Sequence, residues 1–128
     1  MPIDMSNQPI NLASKLASFR ETWTPKIIAE LNGQHVKLAK LEGQFVWHDH
    51  ANEDELFLVL EGELTMQMRD REVKLAAGDL YVVPRGVEHN PVAGAEGCSV
   101  LLFEPAQTRH TGSVEHERTV PIDRQERI

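Results

Sequence analysis

At 128 residues, with 41% apolar and 26% charged residues, the chain has room for one hydrophobic core and the composition of an ordinary globular domain rather than a disordered one. A formal net charge of −7 without any Lys/Arg cluster argues against nucleic acid and anionic membrane surfaces as partners. No apolar run approaches the ~20 residues of a membrane-crossing helix, Met1 to Asn11 lacks the apolar centre of a signal peptide, and the lone Cys98 excludes an internal disulfide, so a cytoplasmic protein is expected.

Residues 1–10 are polar. Asn11 is a suitable N-cap, and Leu12, Leu16 and Phe19 recur at helical spacing through about Glu21, which predicts one short amphipathic helix ending before Pro25. From Lys26 the pattern changes to short apolar segments divided by turn residues. Ile27 to Ala29 lead into Asn32-Gly33, a strong hairpin signal. Strands are then expected over Gln34 to Leu41, Phe45 to His48, Glu55 to Glu61, Glu63 to Arg69, Glu72 to Leu75, Leu80 to Pro84 and Cys98 to Glu104. Such spacing describes an all-β sandwich or barrel. Within Glu55 to Glu61, the two-residue period puts Glu55, Phe57 and Val59 on one face and Leu56, Leu58 and Leu60 on the other, so both faces require cover. The tail from Thr108 is polar and charged, with Val120 and Ile122 flanking Pro121.

Four residues stand out chemically. His48 and His50 are two apart, so on extended backbone both imidazoles point the same way. Glu55 opens the apolar strand, and His89 follows the Pro84-Arg85-Gly86 turn. Three imidazoles and a carboxylate suit one divalent transition metal (iron, manganese, nickel, copper, zinc or cobalt) better than calcium or magnesium.

The spacing of these residues resembles the two motifs of the cupin superfamily. The first reads Gly43, four residues, His48-Asp49-His50, four residues, Glu55, six residues, Gly62. The second reads Gly78, five residues, Pro84-Arg85-Gly86, two residues, His89. The first spacer is one residue shorter than the family's, and Ala93 stands where the family has Asn. The resemblance implies a double-stranded β-helix, the jelly-roll barrel of small single-domain cupins, with the metal held by His48, His50, Glu55 and His89. It suggests residues 1–25 as an N-terminal segment with a short helix, 26–105 as the cupin barrel and 106–128 as a C-terminal tail. Sheets of neighbouring cupin barrels often pack together, so a homodimer is expected.

The expected function is metal-dependent chemistry of the oxygenase type on a small organic molecule, with Glu55 also serving as a proton acceptor. A sugar or sugar-phosphate isomerase or epimerase, or a non-catalytic sensor of small ligands, are the alternatives. Glu53 and Asp54 are rival carboxylates to Glu55. Arg85 is read as a solvent-facing turn residue, with contact to an anionic substrate as the second option. Trp47 either lines or flanks the pocket. His35, His110 and His116 have no motif context and are read as surface or structural. Met66, Met68 and Cys98 are assigned to the core.

Overall fold

The computed structural model describes residues 8–112, 119–121 and 124–128. Helix α1, Leu12–Ala17, starts where Asn11 accepts a hydrogen bond from the Ser14 amide at 2.9 Å. It ends sooner than the apolar spacing predicts, because both the amide and the hydroxyl of Ser18 donate to the Lys15 carbonyl and close the last turn. Phe19 lies beyond the helix but is buried with Leu16 and Leu38.

Eight strands follow: β1 Lys26–Leu31, β2 Gln34–Leu41, β3 Glu55–Glu61, β4 Glu63–Met68, β5 Glu72–Ala76, β6 Leu80–Val83, β7 His89–Ala93 and β8 Cys98–Pro105. The β1–β2 hairpin turns through Asn32 (φ 49°) and Gly33 (φ 76°), the paired positive angles that a tight two-residue hairpin uses. Antiparallel pairing builds one sheet in the order β1-β2-β8-β3-β6 and another in the order β5-β4-β7. This is a jelly roll. Its core includes Phe57 and Val59 from β3, Leu64 and Met66 from β4, and Val100 and Leu102 from β8.

Two elements differ from the sequence reading. Residues 45–48 form no regular strand, although they run antiparallel to β7 through bridges Gln44 to Val92 and His48 to His89. Pro91 faces this segment: its carbonyl accepts from the Phe45 amide at 3.0 Å, and it has no N–H to return, which interrupts the ladder. Strand β7 itself was not among the expected elements, since Asn90-Pro91 reads as a turn. Pro91 fits because its missing donor does not face β4, its regular neighbour.

Alternation along β3 is as expected. Glu55, Phe57 and Val59 are buried inside, while Leu56, Leu58 and Leu60 are half-buried on the outer face. Two apolar rows cross that outer face, Phe103–Leu56–Val82 and Leu101–Leu58–Leu80. Residues of α1 and Ile128 pack near Leu60 and Leu101, but Leu80 and Val82 remain 55% and 45% exposed. The chain end returns to the first strand: the Ile27 amide donates to Glu126 and the Ile128 amide donates to Ile27. Ile122 and His116 lie outside the described residues. Among those residues, no helix is long and apolar enough to cross a membrane.

Candidate metal centre

Each candidate ligand is placed by a different piece of backbone. His48 and His89 face one another across a reciprocal bridge, each amide donating to the other's carbonyl at 3.0 and 2.9 Å. The Gly86 amide donates to the His50 carbonyl at 2.8 Å, tying the ligand loop to the turn before His89. Glu55 opens β3 opposite Val83, on the inward face.

These supports bring one ligand atom from each of His48, His50, Glu55 and His89 within 4.8 Å of one another, with all four residues buried. The Nδ1 atom of His48 donates to the Val46 carbonyl at 2.8 Å, and that of His89 to the Val87 carbonyl at 3.0 Å. A carbonyl only accepts, so both Nδ1 atoms carry the proton and both Nε2 atoms present a lone pair. Glu55 Oε1 lies 3.2 Å from His50 Nε2 and 3.6 Å from His89 Nε2. Yet all three atoms are buried without an aligned hydrogen bond. Atoms close together but aimed past one another are what ligands converging on a third point look like. Two ligands each ~2.1 Å from an ion at right angles would be about 3 Å apart. The cluster is therefore compatible with a bound metal ion.

Its electrostatics keep His48 neutral beside an ionised Glu55. Burial, reinforced by the nearby His89, pushes His48 down to about 4. Burial also opposes charge on His50, but the adjacent Glu55 carboxylate prevails and raises it. For Glu55, burial acts to raise the pKa, and the polar groups of Glu104, His50 and His89 close beside it outweigh that effect, holding the carboxyl well below its usual range. Glu104 moves the other way, well above the usual range, through burial and the adjacent Glu55.

A small chamber of about 30 Å³ adjoins His48 and Glu55, space for one or two molecules of water size. Its walls include Trp23, Phe45, Phe57, Val100, Leu102 and His110. Trp23 stacks on Phe45 with ring centroids 4.4 Å apart, and His110 packs on the same phenyl ring at 5.7 Å. Trp23 holds a left-handed φ of 58°, which for a non-glycine residue costs about 1 to 2 kcal/mol. Its amide donates to Lys40 and its indole N–H to Glu42, fixing that conformation.

Asp54 turns outward and accepts from the Arg85 amide at 2.9 Å, with the Arg85 side chain beside it, so neither reaches the cluster. Glu53 is not part of the cluster. Trp47 flanks the site from outside, with the Arg69 guanidinium 3.9 Å over its ring. His35 is buried beside Glu30 and Arg127, in a structural setting. Cys98 is buried in the core. Four residues near the site were not singled out for it: Trp23 and His110 on the chamber wall, and Lys37 and Glu104 behind Glu55. Only Glu104 carried a signal. It shares strand parity with the buried Val100 and Leu102, so a charge was due on the inner face.

Comparison with known proteins agrees with this fold. The cupin domain profile matches residues 34–104, more than half of the chain. The chain is 46% identical to a cupin-2 domain containing protein from Shewanella frigidimarina, whose crystal structure superposes with a TM-score of 0.76 over 79% of this chain and 98% of that one. A protein from Neisseria meningitidis is 34% identical, with a TM-score of 0.70 over 77% and 99% of the two chains. Protein YdbB of Bacillus subtilis (strain 168) is 44% identical over 63 residues, which are 48% of this chain and only 56% of that curated relative. The chain belongs to the cupin family. At greater distance, the same fold occurs in the hydroquinone 1,2-dioxygenase PnpCD (18% identity, TM-score 0.60 over 71% of this chain and 69% of that one) and in a putative sugar phosphate isomerase from Acidithiobacillus ferrooxidans (25%, TM-score 0.51 over 59% and 51%).

Proposed function

We propose that this cupin is a metal-dependent enzyme of the oxygenase type, acting on a small organic molecule. His48, His50, Glu55 and His89 would hold one divalent transition ion. The observation that carries the reading is the buried cluster of three imidazoles and one carboxylate, with ligand atoms within 4.8 Å of one another, beside an apolar chamber with room for a ligand of water or dioxygen size. When bound, the ion supplies a Lewis-acidic centre with coordination positions left over for exogenous ligands. His48 and His89 keep their Nε2 lone pairs available because backbone carbonyls hold the opposite ring nitrogens protonated. Glu55 brings the neutralising charge, and its Oε1 is the acceptor for a substrate proton. Trp23, Phe45 and His110 restrict the approach and keep bulk water out.

Both a dioxygenase and a putative isomerase share the fold, so the choice of chemistry rests on the site. Isomerisation of a sugar phosphate calls for a cationic clamp. Among the described residues, the chamber wall carries no Lys or Arg, and Arg85 is engaged outside by Asp54. The test is an oxygen-uptake screen on protein loaded with iron or manganese, run beside anaerobic exchange of substrate protons into deuterated solvent. Oxygen consumption proportional to bound metal supports the reading. Solvent exchange without oxygen uptake supports an isomerase, and tight ligand binding with neither signal supports a sensor.

We further propose that the protein is a homodimer, paired through the outer face of the five-stranded sheet, whose apolar rows end in the exposed Leu80 and Val82. Sedimentation equilibrium at tens of micromolar should give the dimer mass, and Val82→Asp should shift it to monomer. A wild-type monomer under those conditions overturns the assignment.

A further inference from the structure

Strands β2, β8 and β3 lie side by side, and Lys37, Glu104 and Glu55, one from each, are buried on the inner face of the barrel. The Lys37 ammonium lies 2.9 Å from Glu104 Oε1, and neither side chain has any exposure. Lys37 also donates to the Thr108 carbonyl at 3.4 Å, which anchors the long side chain at a second point. Because Leu56 pairs with Phe103, Glu55 and Glu104 are neighbours across β3 and β8, both buried on the inner face. The line of contacts thus runs from Thr108 through Lys37 and Glu104 to Glu55, whose Oε1 faces His50 and His89.

Stability gives no reason for this arrangement. Replacing a fully buried ion pair by apolar side chains of similar volume is often neutral or stabilising. The neighbouring inner positions already hold Ala39, Val100 and Leu102, so apolar residues would suit the location. What the pair does accomplish is directional. A free carboxylate at the start of a strand can rotate about its side-chain bonds. Glu104 occupies one side of Glu55, and Lys37 holds Glu104 there, which leaves the Glu55 oxygen facing the histidines as the one available to an ion.

We infer that Lys37 and Glu104 are positioning residues for Glu55, a buried support that aims its carboxylate into the cluster and thereby sets the affinity and geometry of the metal centre. The inference rests on the metal-centre reading above. Outer partners of this kind typically alter metal affinity by about 10- to 100-fold when removed.

The test uses the full chain with Co(II) as the probe. Three readouts are taken: thermal unfolding of the metal-free protein, Co(II) affinity by titration, and the visible absorption of bound Co(II), which reports ligand geometry. The Lys37→Met/Glu104→Leu double variant should fold with an unfolding temperature at or above that of wild type. It should bind Co(II) about 10- to 100-fold more weakly and with a changed spectrum. Glu104→Gln, which can still donate a hydrogen bond to Glu55, should retain the wild-type spectrum and an affinity within a few-fold. A double variant that fails to fold, or that binds Co(II) with wild-type affinity and spectrum, overturns the inference. So does a Glu104→Gln variant as impaired as the double. Wild-type protein that takes up no Co(II) overturns the metal-centre reading and this inference together, so the two failures are distinguishable.

Discussion

Replacing Gly62 by Ala should destabilise the protein by roughly 2 to 5 kcal/mol without touching the ligand set. Gly62 is the single residue at which the chain leaves β3 in one sheet and enters β4 in the other. Its φ is +80°, and a Cβ there would lie 2.5 Å from the Gly97 carbonyl oxygen and 3.0 Å from the Cys98 Cα and Cβ. The left-handed backbone costs an alanine about 1 to 2 kcal/mol. The clash with main-chain atoms, which cannot swing aside, adds about 1 to 3 kcal/mol. At about 3 to 5 °C per kcal/mol for a domain of this size, the expected drop in unfolding temperature is roughly 6 to 25 °C. Gly33→Ala is the control, because Gly33 has a similar φ of +76° but nothing within 4 Å of the added carbon, so only the backbone contribution remains. Urea unfolding of the metal-free proteins, followed by tryptophan fluorescence, measures both. Glu55 sits at the opposite end of β3, ~23 Å along the strand, so metal uptake by the folded variant should be unchanged. Equal destabilisation by the two substitutions would refute the argument that close approach, rather than dihedral preference alone, demands glycine at position 62.

Two further outcomes follow from the buried ionisable groups. In metal-free protein, His48 should stay neutral on acidification until about pH 4, while His50 is shifted upward from its ordinary value; imidazole NMR resolves the two. A depressed folded pKa means that His48 contributes stability above the unfolded value of ~6.5 and loses it as pH falls toward the folded one, a contribution of roughly 3 kcal/mol. A His48 titration near ~6.5 would show the ring to be solvated rather than enclosed. Burial pushes the Cys98 thiol up to about 11, so at neutral pH it should react with a disulfide reagent only as fast as the protein opens. Rapid labelling of the folded protein would contradict its place in the core.

Most strands, and the shared facing of His48 with His50 and of Glu55 with the core, were legible because they depend on short-range parity, whereas His89 joined them only through the resemblance to the cupin motifs. Alternation put Glu55 with Phe57 and Val59, and the two-residue offset put His48 with His50. What remained hidden has particular physical causes. Pro91 disguised β7 because only pairing shows that its missing donor avoids β4. Lys37 looked outward because Val36 and Leu38 supplied the apparent apolar face of β2, but α1 covers Leu38 from outside and frees the opposite face for the barrel interior. Trp23 and His110 lie outside both motifs, and only chain closure brings segments before β1 and after β8 against Phe45.

The central claim is that His48, His50, Glu55 and His89 hold one metal ion. Its most direct test is elemental analysis of the purified protein, combined with X-ray absorption at the edge of whichever metal is found. The account predicts one divalent transition ion per chain, coordinated by three imidazole nitrogens and one carboxylate, with the ion lost in the His48→Ala/His50→Ala/His89→Ala variant. Full occupancy in that variant, or a folded wild-type protein that binds no divalent transition ion at all, would contradict it.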